Sequence, residues 1–151
     1  MRIVVDSREQ RPFTFERFGV ETERASLGTG DYSLNGFLDK VGIERKSLDD
    51  LVSCLMGDGR IRFEKELVRG RSLELFAVCV EASMEDVREH RYCSQMAPAS
   101  ALQSIIAFSV RYGTSFLWCG NRETAELVCY SLLQKYCREL EERFKQLERA
   151  S

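Results

Sequence analysis

Residues 72–82, SLELFAVCVEA, form a nearly continuous apolar run of strand length. A strand that is apolar on both faces needs cover on both, which marks a central strand of an α/β sheet. A second run, TSFLWCG at 114–120, follows a helical stretch. Leu48, Leu51, Val52 and Leu55 recur at i, i+3, i+4, i+7 after Ser47 and predict a helix that Gly57 and Gly59 end or kink. Residues 60–69 resume a basic helix on Ile61, Phe63, Leu67 and Val68, and MEDVREH reads as a short one. Ser100 to Tyr112 is a helix stopped by Gly113, and a long helix runs from the N-cap Asn121 to about Arg149. At the start, RIVVD (2–6) and ETERASLG read as strands, and DYSLNGFLDKVGIERK as two extended segments. Strands alternating with helices give an α/β class, a central mixed β-sheet flanked by helices. Two prolines, no Gly/Ser linker and no repeat in 151 residues make 1–151 a single domain.

The charge balance is near neutral: 22 Lys and Arg against 24 Asp and Glu, a formal net charge of −2. That excludes a histone-like polycation and a polyacidic tail, so any binding of nucleic acid rests on local patches. One histidine, His90, excludes multi-histidine metal sites. The six cysteines (54, 79, 93, 119, 129 and 137) contain no C-x-x-C pair and mostly sit in apolar segments. They read as buried structural thiols in a chain that needs no bridges. No secretory signal or membrane span is legible, and no Gly-rich phosphate loop for a nucleotide cofactor follows any strand.

Four groups could carry chemistry: Asp6, Arg8 and Glu9 in VVDSRE; Asp31 in GTGDY; Glu44, Arg45 and Lys46 in GIERKS; and Arg60 in GDGR. On a strand, Glu44 and Lys46 share one face while Val41, Ile43 and Arg45 point to the other. Phosphodiester hydrolysis needs a Lewis acid, a positioned water and relief of phosphate charge. Two carboxylates on neighbouring strands suit a hard divalent cation that keeps several waters, and an adjacent lysine suits the water and the phosphate. The same residues are also compatible with a surface cross-strand pair at Glu44 and Lys46 and an ion pair at Asp6 and Arg8. Ser47 to Asp50 fits a helix-capping pattern. If Asp31 faces Glu44 across an antiparallel pair, the turn falls near Phe37 and Leu38, not at the hairpin signal Asn35-Gly36.

VDSRE at 5–9, GDY at 30–32, and Glu44-Arg45-Lys46-Ser47-Leu48-Asp49-Asp50 occur in order. The last matches E-R-K-x3-D, and the chain resembles the nuclease domain of the XPF-type structure-specific endonucleases. Gly59-Arg60, FAVCVEA and SFLWCG…RETA extend the resemblance over nearly the whole chain. It implies a restriction-endonuclease-like fold using Mg²⁺, with Mn²⁺ able to substitute. Asp31 and Glu44 become metal ligands, with Asp6 as a third or through water. Lys46 positions the attacking water, while Arg8, Glu9 and Arg45 form a shared charged cluster. Arg60 becomes the candidate for the scissile phosphate, and Arg45, Arg62 and Lys65 further DNA contacts. The chain departs from the family at Glu64 or Lys65, where members often carry glutamine.

The resemblance implies branched, flapped or junction DNA as substrate. Family members also carry a tandem helix-hairpin-helix domain, which these 151 residues do not contain; the chain reads as an excised domain or a naturally short nuclease. A homodimer or heterodimer through the late helices is expected, since Cys129, Leu133, Tyr136, Leu140, Phe144 and Leu147 make a long stripe whose last three residues suit a protruding contact. The expected location is cytoplasm or nucleoid in a prokaryote or phage and nucleus in a eukaryote, not secretion. A non-cleaving DNA- or partner-binding module with the same fold is the alternative, and a small-molecule α/β protein a third.

Overall fold

A computed structural model describes residues 1–151. Six strands form one mixed sheet in the order β2-β1-β3-β4-β5-β6. They are β1 (Arg2–Asp6), β2 (Glu21–Ala25), β3 (Tyr32–Leu34), β4 (Val41–Lys46), β5 (Leu75–Val80) and β6 (Ser115–Trp118). Antiparallel pairing joins β1 to β3 and β3 to β4, while β1–β2, β4–β5 and β5–β6 are parallel. The helices are α1 (Leu48–Ser53), α2 (Gly57–Gly70), α3 (Met84–Arg88), α4 (Pro98–Tyr112) and α5 (Arg122–Ala150). None is long and apolar enough to cross a membrane.

The sheet separates two cores. Ile3, Val5, Tyr32, Val41, Ile43, Ala77 and Cys79 point to the side closed by α5, through Ala125, Cys129 and Leu133. Val78 and Val80 point to the side closed by α1, α2 and α4, through Leu51, Val52, Phe63, Leu67, Ile105 and Phe108. Strand β5 is therefore covered on both faces, as its apolar run predicts.

The register fulfils the prediction made for the β3–β4 turn. Tyr32 pairs with Ile43, so Asp31 falls opposite Glu44. The connection fills residues 35–40; the Phe37 N–H donates to the Leu34 carbonyl, and the Ser33 hydroxyl donates to the Val41 carbonyl at 2.6 Å. Gly30, at φ +84°, explains the glycine of GDY: a Cβ there would lie 3.1 Å from the Ile43 backbone nitrogen.

Three expectations change. Helix α1 stops at Ser53, before the glycines, and Gly57 and Gly59 lie in the first turn of α2. Gly59 is required by packing, since its Cβ would stand 2.6 Å from the Ser53 carbonyl oxygen. The thiols are all free, but only Cys79, Cys119 and Cys129 are buried; Cys54 and Cys137 are half-buried and Cys93 is exposed, because it lies in the loop between α3 and α4. In α5 the stripe divides: Cys129 and Leu133 pack in the core, and Phe144 and Leu147 are 63% and 64% exposed.

Gly59→Ala, which forces a methyl against fixed backbone, is expected to lower stability by about 1–3 kcal/mol in urea or thermal denaturation.

Candidate active site

Alternation along β4 sorts four consecutive side chains onto two sides of the sheet. Ile43 and Arg45 face the α5 side, and Glu44 and Lys46 face α1 and α2. Where β4 ends, Ser47 caps α1 by accepting a hydrogen bond from the Asp50 N–H at 3.2 Å. The chain turns there, and the strand ends of β1, β3 and β4 line one open pocket. Asp6, Arg8, Glu9, Asp31, Glu44, Arg45, Lys46 and Asp50 line it, with Gln10 and Arg11 and no hydrophobic residue. All six expected catalytic residues thus meet in one place.

Arg45 is held behind the pocket by two carboxylates. It meets Glu9 at 2.9 Å and Glu81 at 3.1 Å, and Glu81 also takes Arg122 of α5 at 3.0 Å. Its guanidinium is about nine-tenths buried. Burial works against the charge, but the hydrogen bonds and attraction of Glu9 and Glu81 raise its pKa. Burial would raise the Glu9 carboxyl; the Arg45 hydrogen bond and the Arg11 N–H outweigh it and hold Glu9 low. Arg45 and Glu9 are therefore scaffold, with Arg45 turned from solvent.

On the other side negative charge is in excess. Burial pushes Asp31 up to about 6, against a hydrogen bond from the Arg45 N–H at 2.8 Å and with added repulsion from Glu9 and Glu66. Glu44, 7% exposed, is raised well above the ordinary carboxyl range by burial, then by Asp31 and Glu66. Lys46 lies 3.3 Å from Glu44, with its ammonium 5.2 Å from the Phe63 ring centroid. Burial opposes its charge, yet Glu44 and the other neighbouring anions raise its pKa, so it remains an ammonium. One lysine among three carboxyls leaves net negative charge in a poorly solvated place.

That excess is the fit test for a divalent cation. The donors are carboxylate oxygens, as a hard cation requires. No three His, Cys, Asp or Glu side chains form a ready-made metal cage. An open pair of carboxylates suits Mg²⁺, which is commonly bound through one or two carboxylates and keeps several waters. Asp6 is further committed: its Oδ2 takes Arg8 at 3.0 Å and its Oδ1 the Leu27 N–H at 3.2 Å. That pairing ties the end of β1 to the loop after β2.

The basic residues are divided. Arg60 does not reach the pocket: it donates to the Leu55 carbonyl at 2.9 Å and the Ser104 hydroxyl at 3.1 Å, with its guanidinium 4.7 Å from the Phe108 ring centroid. It locks α1, α2 and α4 together. Arg62 lines an adjoining hollow with Arg69, Glu66 and Lys46. Lys65 is exposed on α2 and lines neither. Glu64, at the family's glutamine position, receives Arg111 at 2.9 Å and the Tyr112 hydroxyl at 2.7 Å, and so serves helix packing.

Glu66 is the residue that sequence reading missed, being counted only as a charge offsetting nearby arginines. Its signal was the helical period. Phe63, Leu67 and Gly70 define the buried side of α2, and a glutamate three residues after Phe63 falls on that side.

The sequence profile of the ERCC4 domain matches residues 5–131. No curated protein matches the chain. Among solved structures, XPF from Aeropyrum pernix aligns with a TM-score of 0.71 at 26% identity, over 97% of this chain and 70% of that one. XPF from Aeropyrum pernix in complex with DNA aligns at 0.68 and 23% identity, over 91% of this chain and 66% of that one. The six-stranded mixed sheet with its flanking helices is thus the restriction-endonuclease-like fold of the XPF nuclease. Since the profile spans most of the sequence, from the VDSRE strand into α5, the chain belongs to the ERCC4 domain family.

Proposed function

We propose that the chain is a metal-dependent DNA endonuclease that hydrolyses backbone phosphodiesters, preferably at branched, flapped or junction DNA. The observation that carries this reading is Asp31 set opposite Glu44, with Lys46 paired to Glu44, in a pocket without apolar lining. The family supports nuclease chemistry, and the DNA-bound XPF relative supports DNA as the ligand.

Asp31 and Glu44 would hold Mg²⁺ or Mn²⁺, with Asp6 acting through water. The bound ion supplies a Lewis acid and lowers the pKa of a water. Lys46 stays protonated beside Glu44, so its part is to orient that water and to offset charge on the phosphate rather than to take a proton. Arg8 is largely exposed at the pocket mouth and is placed to meet the DNA backbone. Arg62, beside Lys46 in the adjoining hollow, gives a further phosphate contact, and Lys65 a more distant one. The exposed end of α5 at Phe144 and Leu147 would pack against a second subunit, identical or related.

With flap, splayed and linear DNA and Mg²⁺, Asp31→Asn and Lys46→Ala are each expected to reduce cleavage by about 10²–10⁴-fold while remaining folded by circular dichroism. Retained turnover in both would overturn the reading. Binding without cleavage by the unaltered chain would favour the non-cleaving module instead.

Metal and pH are linked with a definite sign. Asp31 titrates near 6 in the folded chain, above its usual value of about 4, so its ionised form costs stability. The ion-free protein is stabilised at low pH by this group and loses that contribution as pH rises from about 4 through 6. A cation that needs the ionised pair binds better above that range. Melting curves should show a larger Mg²⁺-induced rise at pH 7.5 than at pH 5.

Sedimentation at micromolar concentration tests the partner. A dimer that Phe144→Asp and Leu147→Asp together convert to monomer is expected; a monomer of the unaltered chain excludes self-association through α5.

A further inference from the structure

Glu66 has no part in the mechanism above, yet it is the carboxylate that α2 turns toward the strand residues. Phe63, Leu67 and Gly70 of that helix are buried. An acid on the same side is costly unless something compensates its charge. The Glu66 carboxyl is within hydrogen-bonding reach of the Glu44 carboxyl, and its charge is felt at Asp31 and Lys46.

Side chains do not supply the compensation. Lys46 makes its ion pair with Glu44. Arg60 pairs with Glu64 instead. Arg62 and Arg69 share the hollow with Glu66, but neither forms an ion pair with it. Arg69 is 3.4 Å from the Thr29 hydroxyl. Two carboxyls in contact, with one lysine between three acids, repel unless a proton or a cation joins them.

We infer that Glu66 is the third carboxylate of the divalent-cation site, brought from helix α2 to the strand residues Asp31 and Glu44. The inference rests on the cation site proposed above. Without an ion the three acids form no closed cage, as their mutual repulsion requires. A role for Glu66 explains why α2 must lie so close to the end of β4: the glycine contact at Ser53 and the clamp of Arg60 on Leu55 and Ser104 set the helix that delivers it.

The test uses melting curves of the whole chain titrated with Mg²⁺ alone and Mn²⁺ alone, without DNA, for the unaltered protein, Glu66→Gln and Glu44→Gln. In the absence of ion, Glu66→Gln should melt higher than the unaltered chain, because a like charge is removed and the amide can donate to Glu44. Its ion-induced rise should be at least halved, with the midpoint ion concentration raised roughly 10-fold. A purely structural Glu66 gives the opposite pair of results: a lower melting point without ion and an unchanged ion titration. A full ion response in Glu66→Gln, alongside a reduced one in Glu44→Gln, would remove Glu66 from the site and leave the Asp31–Glu44 site standing. A flat response in the unaltered chain would remove the cation site and Glu66's role together.

Discussion

The antiparallel register of β3 against β4 is the constraint on which the site depends. Tyr32 opposite Ile43 brings Asp31 opposite Glu44. A slip of one residue would carry Glu44 and Lys46 to the α5 side and bring Arg45 to the cation pocket. The register is held by more than ladder bonds. The Asp31 N–H donates to the Ile43 carbonyl at 2.8 Å, and the Asp31 side chain accepts from the Arg45 N–H at the same distance. Gly30 lets the two backbones approach closely enough for both. The acid proposed to hold a metal is thus also a strut between strands, which limits its rotation before any ion arrives.

The E-R-K triplet gains its meaning from strand alternation. Its arginine turns toward α5 and is neutralised by Glu9 and Glu81. Its glutamate and lysine turn toward α2, where acids outnumber bases. A buried arginine with two carboxylates joins β1, β4, β5 and, through Arg122, α5. Breaking such a network leaves uncompensated charge, whereas the opposite face is left uncompensated on purpose. The near-neutral composition conceals this division, because the paired acids and the exposed acid pocket contribute alike to the formal charge of −2.

Much of the architecture was legible because it follows local rules. The double-sided apolar run gave the central strand β5, the i, i+3, i+4 pattern gave α1 and α2, and Asn121 caps α5 by accepting the Thr124 N–H. The late turn between β3 and β4 followed from requiring two acids to face each other. Other features depend on packing between segments far apart in sequence. Arg60 sits beside a glycine in a family motif, but its partner Ser104 lies on α4, and nothing near Arg60 in the sequence announces that. Asp6 reads as a free acid until Leu27, in the loop after β2, donates to it. Glu66 was readable in principle from the helical period, yet a run of alternating charges drew attention to net charge rather than to direction.

The reassignment of Arg60 changes how DNA affinity must arise. A guanidinium that satisfies a carbonyl, a hydroxyl and an aromatic face within the helices is not free to take a phosphate without loosening α1 from α4. Positive charge near the pocket then comes from Arg8, which is 70% exposed, and from Arg62 and Arg69 on the far side of Lys46. These flank the acids on two sides, so a polyanionic strand crossing the pocket meets cations before and after the carboxylates and crosses the acids where an ion would bind. Affinity and catalysis are then coupled through the cation, because without it the strand would pass over like charge.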